Sequence, residues 1–135
     1  MVARRQMSGY VLDASALLAL LRNETGADAV ADILDGALMS TVNVAEVVQI
    51  QAQQGVPTET SRMIFDSLPI IAMPPSREIA IAAGAMETMT RRKGLSLGDR
   101  FCLALAHDQS AIAVTADRAW MEIAAEVAVE VQLIR

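Results

Sequence analysis

Four carboxylates in this sequence stand in apolar company. Asp13 closes the run Tyr10-Val-Leu-Asp13, and Glu46 lies among Val42, Val44, Ala45, Val47 and Val48. Asp99 begins the most apolar helical stretch of the chain, and Asp117 follows the run Ala111-Ile-Ala-Val-Thr115 by two positions. Burying an ionised carboxylate is costly unless it is paired or binds a metal. Four of them in one crevice would repel one another, and a divalent cation relieves that repulsion. Oxygen-only donors select Mg²⁺ or Mn²⁺ over zinc or copper. Most other acids, such as Glu24, Asp28, Asp32, Asp35, Glu59 and Glu122, sit on mixed polar helix faces.

Composition narrows the alternatives. In 135 residues there are 16 acids and 11 lysines and arginines, a formal charge of -5, which excludes nucleic-acid binding by bulk positive field. Cys102 and His107 are the sole members of their kinds, so neither a disulfide framework nor a Cys/His zinc site is available. A single histidine also leaves few ways to build a Ser-His or Cys-His nucleophile.

Mean hydropathy is high, at +0.36. No apolar run is long and charge-free enough to span a membrane. The opening Met1-Val-Ala-Arg-Arg-Gln6 could serve as the basic region of a signal peptide, but Asp13 interrupts the apolar stretch behind it. The expectation is a cytoplasmic protein with no membrane association, a well-filled core and an apolar surface for a partner.

The elements that must position the four acids alternate along the chain. Strands are expected at Tyr10–Asp13, Ala37–Ser40, Ile70–Met73, Ala111–Thr115 and Val127–Ile134. Helices are expected at Ala14–Leu21, from a capping box at Thr25–Asp28 to Leu34, from Asn43 to before Gly55, and at Thr58–Leu68. A long helix over Arg77–Lys93 should stop at Gly94. A second capping box, Ser96–Asp99, opens a buried helix to His107, and Asp117–Ala125 forms the last. Strands separated by helices imply a parallel sheet of about five strands covered on both faces, a single three-layer α/β/α domain over residues 1–135.

In that topology Asp13 and Asp117 fall at carboxyl ends of strands, with Glu46 and Asp99 near helix starts on the same edge. Open α/β sheets place their ligand crevice there, where strand order reverses. Each acid also has an ordinary reading. Asp99 and Glu46 could close capping boxes with Ser96 and Asn43, Asp117 could be an N-cap, and Asp13 a turn residue.

The segments Tyr10-Val-Leu-Asp-Ala-Ser15, Asn43-Val-Ala-Glu46, Leu97-Gly-Asp-Arg-Phe-Cys-Leu-Ala-Leu-Ala106 and Val114-Thr-Ala-Asp-Arg-Ala-Trp120, in this order, resemble the PIN domain. This is the metal-dependent nuclease fold of VapC-type toxins in bacterial toxin–antitoxin pairs. The resemblance implies that Asp13, Glu46, Asp99 and Asp117 are the catalytic, Mg²⁺- or Mn²⁺-binding quartet. Ser15 and Thr115 would be supporting hydroxyls, and Asn43 a further supporting residue. It further implies a homodimer that cleaves single-stranded or looped RNA and is neutralised by an antitoxin, with operator DNA bound only through that antitoxin.

Within that reading Asp13 and Asp99 are expected to ligate directly, Asp117 next, and Glu46 to ligate or orient water. Arg100 and Arg118, beside quartet members, are the candidate phosphate contacts. Aromatics are too few, at 3%, for an extended base-stacking platform. Trp120 should pack against the sheet, and Met39, Met63, Met86 and Met89 either fill core or line a groove for an antitoxin helix.

Competing readings lack their signatures. An aspartate-nucleophile phosphatase wants a second acid where Ser15 stands, a receiver domain wants paired acids and a late functional lysine, and a dinucleotide fold wants glycines after the first strand. The one serious rival is a PIN-like scaffold that binds or regulates without catalysis.

Overall fold

The computed structural model describes residues 9–135; the Met1–Gln6 stretch weighed above as a signal region lies outside them. Five parallel strands form one sheet in the order β3-β2-β1-β4-β5, comprising β1 (Tyr10–Leu12), β2 (Leu38–Ser40), β3 (Ile71–Met73), β4 (Ile112–Thr115) and β5 (Val131–Leu133). Chain order runs outward from β1 to β3 on one side and from β4 to β5 on the other. The reversal therefore falls between β1 and β4.

Period-two alternation divides the core into two layers. Val11, Leu38 and Ala113 pack on one face, against Ile79 and Ala83 of α5 (Arg77–Ala85), Cys102 to Ala106 of α7 (Leu97–Gln109), and Trp120. Leu12, Met39 and Val114 turn to the other face, against α1 (Ala14–Leu21), α2 (Ala27–Ile33) and α3 (Thr41–Gln53). Helix α4 (Thr58–Ser67) continues that second layer through Phe65. The α/β/α architecture expected from the element pattern is the one observed. Among the described residues no helix is long and apolar enough to cross a membrane.

Several local expectations are corrected. Thr25 does not cap α2. Its N-cap is Gly26 at φ 101°, with no side-chain cap bond, because the backbone turns there directly against Ile134 and a Cβ would meet the Ile134 carbonyl oxygen at 2.8 Å. Helix α3 starts at Thr41 with Ser40 as its cap, so Asn43 lies inside the first turn rather than before it.

The long helix expected over residues 77–93 is interrupted at Met86. It continues as α6 (Glu87–Thr90) and a 3₁₀ turn (Arg91–Lys93), with Gly94 at φ 71°. There the Thr90 hydroxyl donates to the Met86 carbonyl at 2.8 Å, the kind of side-chain-to-backbone bond that competes with a regular helix. Past Asp117 the chain makes a 3₁₀ turn (Arg118–Glu122) and the short α8 (Ala124–Val127), and Val127 is thus helical rather than the start of β5. A left-handed Ala128, φ 57°, ends α8 and redirects the chain into that strand.

Met39 is fully buried and Met86 nearly so, which removes both from any surface groove. Trp120 is fully buried in the core as expected, although its indole Nε1 has no hydrogen-bond partner.

Candidate active site

Hydrogen bonding at the strand-order reversal determines where the first acid points. The Asp13 amide continues the β1–β4 ladder by donating to the Val114 carbonyl at 3.1 Å, which brings Asp13 level with the end of β4. Its side chain then caps α1, accepting from the Ala16 amide at 2.8 Å. It also accepts from Ser15 Oγ at 2.8 Å and from Thr115 Oγ1 at 2.6 Å. Asp13 is thus a helix N-cap rather than a plain turn residue, and the same side chain lines the cleft described below.

Each of those hydroxyls is itself aligned by the backbone leaving β4. The Ala116 amide donates to Ser15 Oγ and the Asp117 amide to Thr115 Oγ1, both at 3.0 Å. With their acceptor sides engaged, both hydroxyls can spend their single proton on Asp13. Two relays from backbone N–H through hydroxyl to carboxylate therefore converge on one side chain.

Asp13 is 3% exposed. Burial lifts its pKa to about 6, against the opposing pull of the bonds from Thr115, Ala16 and Ser15, with a further upward push from Asp99. Burial also raises Glu46, countered by the Asn43 amide and assisted by Asp99. Asp99 is raised by burial and the Asp117 charge, against the bonds it accepts from Ser96 and the charge of Arg100. Burial pushes the Cys102 thiol well above its ordinary value, reinforced by the charges of Asp13, Asp99 and Glu46, so it is an inert neutral group.

The other three acids reach the same place from separate elements. Glu46, one turn into α3, accepts from Asn43 Nδ2 at 2.7 Å. The same Nδ2 donates to the Gly98 carbonyl at 3.1 Å and so ties α3 to the first turn of α7. Asp99 closes the expected capping box, accepting from the Ser96 amide at 2.8 Å while Ser96 Oγ accepts from the Asp99 amide. Asp117 caps the 3₁₀ turn through the Ala119 amide at 3.0 Å and is exposed.

All four carboxylates line one cleft of about 240 Å³, with Ala14, Ser15, Leu18 and Ile50 completing its wall. A larger concavity of about 590 Å³ lies by Tyr10, Asp32, Asp35 and Gly36, towards the amino ends of the strands. The four acids singled out in the sequence converge on the smaller cleft and not on this concavity.

The donor set suits a hard divalent cation, since every candidate ligand is a carboxylate oxygen and three of the four groups are pushed upward partly by one another. Among the described residues no three acids, histidines or cysteines already stand together as a ligand cluster. Glu46, Asp99 and Asp117 each hold a local hydrogen bond through one carboxylate oxygen, which leaves the other oxygen of each to face a cation.

Neither arginine proposed for phosphate lines the cleft. Arg100 turns away, its guanidinium donating to the Ala83 and Ser96 carbonyls at 3.4 Å, while Arg118 is exposed on the 3₁₀ turn. One contributor had escaped the sequence reading. Gly98 lies directly beneath the Glu46 carboxylate, where a Cβ would overlap it. The available signal was a glycine inside the first turn of an otherwise well-formed helix, which ordinarily has a packing reason.

A family model for the PIN domain matches residues 10–126. Among solved structures, the fold is similar to a toxin–antitoxin complex from Klebsiella pneumoniae, at 18% identity and TM-score 0.74, covering 94% of this chain and 98% of that one. It is similar to DNA-bound VapBC from Salmonella typhimurium, at 13% identity and TM-score 0.73, covering 95% and 99%. It also matches VapC20 of Mycobacterium tuberculosis, described as a toxin that cleaves the sarcin–ricin loop, at 14% identity and TM-score 0.66, covering 78% and 87%. At these identities the likeness is one of fold. No curated protein matches the chain in sequence.

Proposed function

Because the chain belongs to the PIN-domain family, we propose that it is a metal-dependent endoribonuclease, the toxin of a toxin–antitoxin pair. The observation that carries this reading is the convergence of Asp13, Glu46, Asp99 and Asp117, from four separate elements, on one cleft where strand order reverses. The complexes with antitoxin and DNA among its structural neighbours support an antitoxin partner that supplies the operator contact. The cleavage of an RNA loop described for one neighbour supports RNA as substrate. A cytoplasmic homodimer completes the proposal.

In this reading Asp13 and Asp99 would hold a Mg²⁺ or Mn²⁺ ion, with Asp117 as a further ligand and Glu46 as a ligand or a positioner of water. Such an ion would supply a water of lowered pKa and polarise a phosphate oxygen. Ser15 and Thr115 keep Asp13 in one rotamer through donors that only an acceptor oxygen satisfies. Asn43 does the same for Glu46. Leu18 and Ile50 give the cleft an apolar wall beside the carboxylates, which lowers the effective dielectric in which their charges act. Arg118, exposed beside Asp117, is the better placed of the two arginines to meet a phosphate.

RNA incubated with Mn²⁺, with and without EDTA, tests the proposal. Cleavage should be abolished by the chelator and by Asp13→Ala or Asp99→Ala. Wild-type rates in either variant would refute the site. The engagement of Glu46, Asp99 and Asp117 in local hydrogen bonds favours a second reading, a non-catalytic PIN-like binding or regulatory subunit.

A further inference from the structure

Glu46 is the one acid of the four whose carboxylate rests on a glycine. A Cβ built at Gly98 would meet Glu46 Oε1 at 2.7 Å and lie closer still to the remaining carboxylate atoms. The atoms it would meet belong to the free end of a flexible side chain. A methyl group there would therefore displace the carboxylate without disturbing either helix backbone.

Asn43 approaches the same carboxylate from below. It is fully buried, and its two amide protons go to Glu46 Oε1 and the Gly98 carbonyl. Its Oδ1 is buried with no hydrogen-bond partner. An unpaired buried acceptor destabilises the fold. The compensation lies in Nδ2, which joins the side chain of Glu46 to the turn that carries Asp99.

We propose that Gly98 and Asn43 are a matched pair of positioning residues: the missing side chain at 98 opens the space that the Glu46 carboxylate occupies, and the Asn43 amide fixes it there at a set distance from Asp99. The pair acts through Glu46 alone, on the reading that Glu46 serves the metal site. Any residue other than glycine at 98 turns Glu46 out of its seat even where the fold tolerates the substitution. Alanine in place of glycine ordinarily favours a helix, so Gly98→Ala separates the two roles by sign.

Mn²⁺ titration by calorimetry, thermal melting of the metal-free protein, and the Asn43 side-chain amide resonances form the test. Gly98→Ala should lower Mn²⁺ affinity by roughly tenfold or more, the usual scale for residues that orient ligands. The metal-free melting temperature should hold or rise. Asn43→Ala should lower affinity likewise, and neither change should add to the loss in Glu46→Ala. The Asn43 amide protons should shift in both Gly98→Ala and Glu46→Ala.

Wild-type affinity in Gly98→Ala, or an equal loss on top of Glu46→Ala, overturns the pairing. If the unaltered protein takes up no Mn²⁺, the nuclease reading fails instead. The amide resonances then decide alone: a shift in Gly98→Ala upholds the seat, and an unchanged spectrum removes it.

Discussion

The Thr115 hydroxyl donates to Asp13 Oδ2 at 2.6 Å, joining residues 102 positions apart across the line where the sheet reverses its order. The same hydroxyl accepts from the Asp117 amide. Thr115→Val keeps the shape and removes both functions, leaving a buried carboxylate short of one donor and an amide short of its acceptor. Urea denaturation should show a loss of about 1–3 kcal/mol. Thr115→Ser should retain most of the stability, because the hydroxyl can return to the same two partners.

Metal-free protein should gain stability as pH falls from 7.5 to 5. Asp13 has a folded pKa of about 6 against 3.8 as a free group, so between those values the folded state binds more protons than the unfolded one. Stability therefore declines as pH rises through that window, by about 3 kcal/mol at most for this group. Glu46 and Asp99, which face it across the cleft with Asp117, are shifted in the same direction, while Arg100 opposes the shift at Asp99. Melting curves across this range should flatten in Asp13→Asn, and an unaltered slope in that variant would place the proton elsewhere.

Mn²⁺ should raise the melting temperature in the wild type and far less in Asp13→Ala or Asp99→Ala. A cation at one hundred times its dissociation constant stabilises by about 2.7 kcal/mol. Absence of any shift at millimolar metal would support the binding-subunit reading over the nuclease.

The two arginines should separate kinetically. Arg118→Ala is expected to raise KM for RNA several-fold with little change in kcat, the pattern of a contact made equally in ground and transition states. Arg100→Ala should alter KM less, since its guanidinium already lies along the carbonyls of Ala83 and Ser96. Equal effects would mean that Arg100 swings towards the substrate.

The parallel sheet was legible because its strands are short apolar runs between recognisable helices, and Asp13 and Asp117 followed from their place just past strand ends. The Ser96–Asp99 capping box was legible because it is local. Long-range contacts escaped. Gly26 starts α2 because Ile134 presses on it, and nothing near Thr25 signals a residue more than a hundred positions away. Asn43 reads as a cap by type, yet Ser40 takes that role once β2 ends, which frees the amide for Glu46 and Gly98. The role of Gly98 depends on packing between α3 and α7, which no window of sequence contains.

The pairing of β1 with β4 has a consequence during synthesis. A chain made from its amino terminus exposes Asp13 early, yet Thr115, which donates to it, and the amides of Ala116 and Asp117, which align the Ser15 and Thr115 hydroxyls, follow about a hundred residues later. Asp99 and Asp117 are themselves late arrivals. A nascent or truncated chain ending before β4 has no assembled cleft, whatever its first three strands have done. Under the proposed nuclease reading, a chain that has not yet reached β4 would carry no cleavage activity, because Asp117 and the Thr115 clamp on Asp13 would not be in place.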